Sequence, residues 1–140
     1  MSQRSFKILS IEHVGIAADD LNGISDVFGD LLGLELRSRE KIDDQQVITD
    51  IYDTERGKLE FLKATDDNSP IAQFIEKNGT GMHHIALIVD DIEVALNYFK
   101  ERNIKLVDSK PRIGAEGYKI AFIHPGSTGG VLIELCQKEE

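Results

Sequence analysis

The 140-residue sequence holds a single cysteine, Cys136, so no intrachain disulfide can form and nothing in its cysteine usage points to an oxidising compartment. No stretch approaches the roughly 20 consecutive apolar residues that span a bilayer, and none follows the opening Met-Ser-Gln-Arg-Ser-Phe-Lys. Basic residues are in the minority. Lys and Arg number 16 against 25 Asp and Glu, a net charge of −9, so the overall field repels nucleic acid phosphates and anionic membranes. These deficits exclude nucleic acid and membrane as partners and give a cytoplasmic protein as the expectation. What is present, 41% hydrophobic and 29% charged residues, is the composition of a folded globular chain of single-domain length.

The chain is written twice. Glu12-His13-Val14-Gly15-Ile16-Ala17-Ala18-Asp19-Asp20 is echoed by His83-His84-Ile85-Ala86-Leu87-Ile88-Val89-Asp90-Asp91. In each copy apolar residues alternate along a strand, and an Asp-Asp pair then opens an amphipathic helix. The first helix is predicted over 21–32, burying Leu21, Ile24, Phe28 and Leu31 and stopping at Gly33. The second is predicted over 92–102, with Ile92, Ala95, Leu96 and Phe99 buried and Asn103 as the stop. Three strand-like runs follow each helix, at 35–41, 47–53 and 58–63, then at 105–108, 118–124 and 131–137. Turn residues at 54–57, 111–117 and 125–130 separate them. The result is a single α+β domain of two tandem βαβββ modules, 7–64 and 81–137. A linker helix within 65–80 joins them, started by Ser69-Pro70 and given an apolar face by Ile71, Phe74 and Ile75. Consecutive strands without intervening helices exclude a doubly wound parallel sheet.

Strand alternation puts His13, Gly15 and Ala17 on one face, and likewise His84 and Ala86. Each half closes on an apolar strand that contains an acid, Glu60 in Lys58-Leu59-Glu60-Phe61-Leu62 and Glu134 in Val131-Leu132-Ile133-Glu134-Leu135. A carboxylate facing a core costs several kcal/mol, in order of magnitude, unless it is paired or bound to a metal. His13 to Glu60 and His84 to Glu134 are nearly equal separations, so the constellation is duplicated with the fold. A lone strand histidine is more often a packed residue than a ligand, and a lone strand Glu is more often exposed. All four at matching places favour one divalent ion, with mixed nitrogen and oxygen donors suiting Co, Ni, Mn or Zn better than Ca or Mg. With octahedral geometry two positions stay open for two substrate oxygens. His83 alternates away from His84 and reads as structural, and His124, before Pro125, reads equally as a cap or a catalytic group.

Four stretches resemble the methylmalonyl-CoA epimerases, vicinal-oxygen-chelate enzymes. They are 13–20, then Ser69-Pro70-Ile71-Ala72 leading to Gly81-Met82-His83-His84, then 113–122, and finally His124-Pro125 to Gly129-Gly130-Val131-Leu132-Ile133-Glu134-Leu135. The resemblance covers nearly the whole chain, and its linker and closing segment are the specific parts. It implies a cup-shaped mixed sheet, a homodimer, and a metal site of His13, Glu60, His84 and Glu134, with Gln at the place of Glu60 in some members. It also implies epimerisation of an acyl-CoA thioester, methylmalonyl-CoA, without redox chemistry or an organic cofactor. Glu134 is the candidate for one proton-transfer group. For the other, some members carry a Glu on the third strand, where Val47-Ile48-Thr49-Asp50-Ile51 has none, so Asp50 and Glu60 are the alternatives. A basic rim for the CoA phosphates would draw on Arg37, Lys110, Arg112 and Lys119. The rivals are a glyoxalase I-type lactoylglutathione lyase, a ligand-binding protein of the same fold without turnover, and an iron dioxygenase, which four protein ligands would crowd.

Overall fold

The computed structural model describes residues 3–138, which form two compact units, one of residues 13–83 and one of the N-terminal residues to 12 together with those from 84 onward. In the first unit the strands lie in the order β2-β3-β4-β1. Three antiparallel neighbours, β2 (Glu35–Ile42), β3 (Val47–Thr54) and β4 (Gly57–Ala64), follow one another by short turns. β1 (Ile8–Ala17) then joins β4 in parallel, from His13 opposite Lys58 to Ala17 opposite Leu62. One face buries Tyr52 and Phe61 with Leu21, Ile24 and Phe28. The other buries Ala17, Val47 and Leu62 under Ile71, Phe74 and Ile75 of α2 (Pro70–Asn78). That linker helix starts as expected, because the Ser69 hydroxyl accepts from the Ile71 N–H at 3.2 Å and Pro70 occupies the position that needs no donor.

The first predicted helix is shorter and wound differently. The Asp20 carboxylate caps α1 (Leu21–Ile24) at Asn22 and Gly23, after which Ser25–Leu31 turns as a π-helix. The Leu32 N–H reaches back five residues to the Val27 carbonyl. This wider turn rotates later side chains off the 3.6-residue stripe, which corrects the expectation for Leu31: it is 79% exposed. Gly33, at φ 74°, ends the segment where a stop was predicted.

In the second unit the order is β5-β8-β7-β6. β5 (Gly81–Val89) runs parallel to β8 (Ile133–Gln137), β7 (Lys119–Ile123) is antiparallel to β8, and β6 (Arg112–Ile113) is antiparallel to β7. α3 (Ile92–Glu101) is capped by Asp91 and stops at Asn103, held at φ 59°, and its Ile92, Ala95 and Leu96 are buried as predicted. The strand predicted at 105–108 is reduced to a single bridge, Leu106 to Ile123. The Asp108 carboxylate takes the Phe122 N–H at 2.8 Å and the Arg112 Nε at 3.1 Å, so a side chain replaces the ladder there. The first strand after the helix is instead β6, inside a segment expected from sequence to be turn. Each half is still βαβββ, eight strands in all with α2 between, and the fold class is α+β.

Phe6 departs from the predicted module boundary. Its ring packs edge-on against Tyr98 and Phe99 at 5.3 and 5.5 Å, and it joins the cluster of Val89, Ala95, Leu96 and Leu135. The Lys7 backbone N–H donates to the Asp90 carboxylate at 2.9 Å and its carbonyl accepts from the Asp90 N–H. The N-terminal arm thus completes the core of the C-terminal half. A Phe6→Ala protein is expected to lose about 3–5 kcal/mol, as buried Phe truncations do. Urea denaturation followed by near-ultraviolet dichroism of Tyr98 would show it, and an unchanged midpoint would remove Phe6 from that core.

Candidate active site

The strand registers position two histidine–carboxylate pairs, one in each unit. In residues 13–83, Gly15 lies directly across from Glu60 on β1 and Ile51 lies across from it on β3, so the acid is flanked by no side chain and by a hydrocarbon. His13, two residues before Gly15, shares that face, and its Nδ1 stands 2.9 Å from Glu60 Oε2. His13 and Glu60 are 4% and 5% exposed. In the other unit Ala86 and Phe122 flank Glu134, and His84 Nε2 stands 2.9 Å from Glu134 Oε1, again with both residues buried. Phe122 sets its ring edge-on to the His84 imidazole at 5.4 Å, holding the ring plane. Ladder neighbours of both acids are uncharged. Each pair therefore presents one imidazole and one carboxylate with uncharged ladder neighbours, a donor set that fits a divalent transition ion.

Asp50 is placed elsewhere. It lies across the ladders from Phe61 and Arg39, so it points from the face opposite Glu60. It is 1% exposed, and both oxygens are taken by Arg39, Nε to Oδ1 at 2.6 Å and a terminal nitrogen to Oδ2 at 2.8 Å. That geometry corrects the idea of Asp50 as a base beside the ligands. The hydrogen bond to Asp50 first, and its negative charge second, raise the Arg39 pKa above the ordinary arginine value. A raised pKa stabilises fully below the unfolded value and is lost only as pH climbs through the folded one, so this pair holds across the physiological range.

His83 packs edge-on against Phe74 at 4.9 Å and alternates away from His84, the structural role expected. His124 Nδ1 accepts the Gly126 N–H at 2.9 Å, which makes it the cap of the turn at 125–127. Of the four basic rim residues, two lie on acid-bearing faces. Arg37 donates to Asp53 at 3.3 Å, and Asp53 has the same parity on β3 as Ile51, the neighbour of Glu60. Arg112 lies across from Ile120, on the Phe122 and Glu134 side, with its guanidinium 5.7 Å from the Phe122 ring. Lys119, across from Ile113 and Gln137, points from the opposite face. Lys110 lines a groove with Glu93, Asn97 and Lys100 of α3, on the helix side. Sequence reasoning missed Cys136, whose Sγ is 3.1 Å from Glu134 Oε2. Its signal was the two-residue spacing from Glu134 along one strand.

Residues 12–122 match the family model of the glyoxalase/bleomycin resistance protein/dioxygenase superfamily. The mitochondrial methylmalonyl-CoA epimerase of Dictyostelium discoideum is 36% identical over 129 residues, 91% of this chain and 78% of the relative. The chain belongs to the methylmalonyl-CoA epimerase family. An ethylmalonyl-CoA/methylmalonyl-CoA epimerase of Cereibacter sphaeroides is also 36% identical, over 91% of this chain and 96% of its own. The crystal structure of the Mycobacterium tuberculosis methylmalonyl-CoA epimerase superposes with a TM-score of 0.90 at 31% identity, covering 95% of this chain and 90% of that one. The epimerase family is one of isomerases, and its fold extends along nearly the whole chain. The superfamily name spans the lyase, binding-protein and dioxygenase rivals, whereas these relatives bear the epimerase name. Among the described residues, no helix is long and apolar enough to cross a membrane.

Proposed function

We propose that the protein interconverts the two epimers of methylmalonyl-CoA by removing and returning the proton on the carbon between the thioester and the carboxylate. The observation that carries this reading is the duplication of a buried histidine–carboxylate pair at matching strand positions, in a chain whose relatives include a methylmalonyl-CoA epimerase matched over 91% of its length. Epimerisation requires a proton acceptor on one side of a planar carbon and a donor on the other, and two carboxylates of equivalent origin supply that symmetry. Glu134 takes one role. Glu60 takes the other, since Asp50 is bound to Arg39 on the opposite face of its sheet.

His13 with Glu60, and His84 with Glu134, are the proposed ligands for a divalent ion, Co, Ni, Mn or Zn by donor type. When bound, the ion supplies positive charge against the substrate oxygens as the carbon loses its proton. The chain's own contribution is orientation and exclusion of water. Ala86, Ile120 and Phe122 line the Glu134 side with hydrocarbon, which keeps water from the carboxylate. Arg37 and Arg112, on the acid-bearing faces, are the proposed contacts for the negative groups of the thioester. Following the α-proton by NMR in D₂O, with Co²⁺-loaded protein and methylmalonyl-CoA, tests the reading. Deuterium should enter far above background. No exchange, together with turnover of methylglyoxal and glutathione, would replace it with the lyase.

The active species is proposed to be a homodimer. Leu9 and Ile11, alternate residues on one face of β1, are each 59% exposed, apolar side chains of the kind a partner covers. Sedimentation is expected to give twice the 15.6 kDa chain mass, and a monomer mass at micromolar concentration would end that proposal.

A further inference from the structure

Glu134 and Glu60 are equivalent by repeat but not by surroundings. Two residues beyond Glu60 on the same face stands Leu62, packed with Ala17, Val47 and Ile71. Two residues beyond Glu134 stands Cys136, 1% exposed, within an apolar set of Ala86, Ile120 and Phe122. Its Sγ lies 3.1 Å from Glu134 Oε2, inside the range of a sulfur hydrogen bond, while Oε1 faces His84 Nε2 at 2.9 Å. An ionised carboxylate only accepts, so the thiol is the donor. A carboxylate whose two oxygens meet different partners cannot rotate about its last torsion without breaking both contacts, and in an apolar lining each break goes uncompensated by water.

We infer that Cys136 is a positioning residue for Glu134, its thiol holding Oε2 so that the carboxylate keeps one orientation through the proton transfer. The inference rests on the reading of Glu134 as a proton-transfer group. It also breaks the symmetry between the two acids. Glu60, with a leucine in the corresponding place, lacks a thiol donor there, so the two sides of the reaction are held unequally. Because Cys136 is the protein's sole cysteine, its S–H vibration is a signal free of overlap from any other thiol.

The test has two arms on the full chain loaded with Co²⁺. In the infrared, the S–H stretching band should lie at a lowered, hydrogen-bonded frequency and move to the free-thiol frequency in Glu134→Leu. In kinetics, Cys136→Ala should lower kcat by about 3- to 10-fold, the range of one weak hydrogen bond, with KM unchanged, and Cys136→Ser, which keeps a donor, should restore most of it. An S–H band at the free-thiol frequency in the unsubstituted protein would overturn the inference whatever the variants do. So would a Cys136→Ala protein with full kcat, or a Cys136→Ser protein as slow as the alanine variant, which would mark the residue as packing alone. Failure of the epimerase reading itself looks different, since the unsubstituted protein would then exchange no α-proton while the infrared arm still reported the hydrogen bond.

Discussion

Replacement of Glu134 by Gln is expected to slow epimerisation by about 10²- to 10⁴-fold, the range for losing one positioned acid or base. Gln is nearly isosteric and keeps one carbonyl oxygen, enough for His84 or Cys136 but not for both, so the size of the buried side chain is preserved while it loses the capacity to carry a proton. On the proposal that two acids serve the two faces of the carbon, the loss is one-sided. The epimer whose proton faces residue 134 should stop exchanging in D₂O. The other should still give its proton to Glu60 and receive a deuteron back on the same side, exchanging without inverting. Proton NMR of each epimer separately distinguishes this from a general loss of substrate binding, which would slow both alike. Exchange of both epimers at the unsubstituted rate would remove Glu134 from the proton path. Metal content of the variant is measured alongside, because Glu134 is also a proposed ligand.

Removal of divalent ions by a chelator is expected to abolish turnover and to lower thermal stability, with both restored by one equivalent of Co²⁺ per chain. The physical basis is the burial of two carboxylates, Glu60 and Glu134, at 5% and 6% exposure. An ion bound by the folded state alone stabilises it by mass action, about 2.7 kcal/mol at a free concentration one hundred times Kd. For a chain of this size that corresponds to a rise in Tm on the order of 5–10 °C. His84→Ala should blunt both effects, because it removes one nitrogen donor and leaves the Glu134 carboxylate without its imidazole. A chelated protein with undiminished Tm and turnover would mean that the four side chains support each other without an ion.

Much of this site was legible before any coordinates, and for one reason. A duplicated strand that reads His-x-Gly or His-x-Ala, closing on an acid among hydrocarbons, constrains its side chains by alternation alone. His13 with Glu60 and His84 with Glu134 followed from parity, as did the dismissal of His83. Asp50 was not legible in this way. Its face is set by the register of β3 against β4, which pairs it with Phe61, and its partner Arg39 arrives from β2, a different strand. Likewise Asp108 replaces a ladder hydrogen bond through its side chain, an exchange that no strand propensity encodes.

Composition and periodicity by themselves determined the helices and most strands of the paired βαβββ layout, the linker helix after Ser69-Pro70 and the helix stops at Gly33 and Asn103, and singled out the four residues proposed to hold an ion. These are local matters, settled by backbone preference and by which side of a strand must be apolar. Tertiary structure alone decided that Phe6 completes the core of the C-terminal half and that 25–31 winds as a π-helix with Leu31 in solvent. It alone decided that Asp50 belongs to Arg39, and that a thiol holds one oxygen of Glu134 while leucine stands in the matching place beyond Glu60. The physical reason is common to all four. Each outcome depends on which residues distant in sequence fill the same few ångströms, and packing free energy at that range outweighs the small preferences a single segment carries.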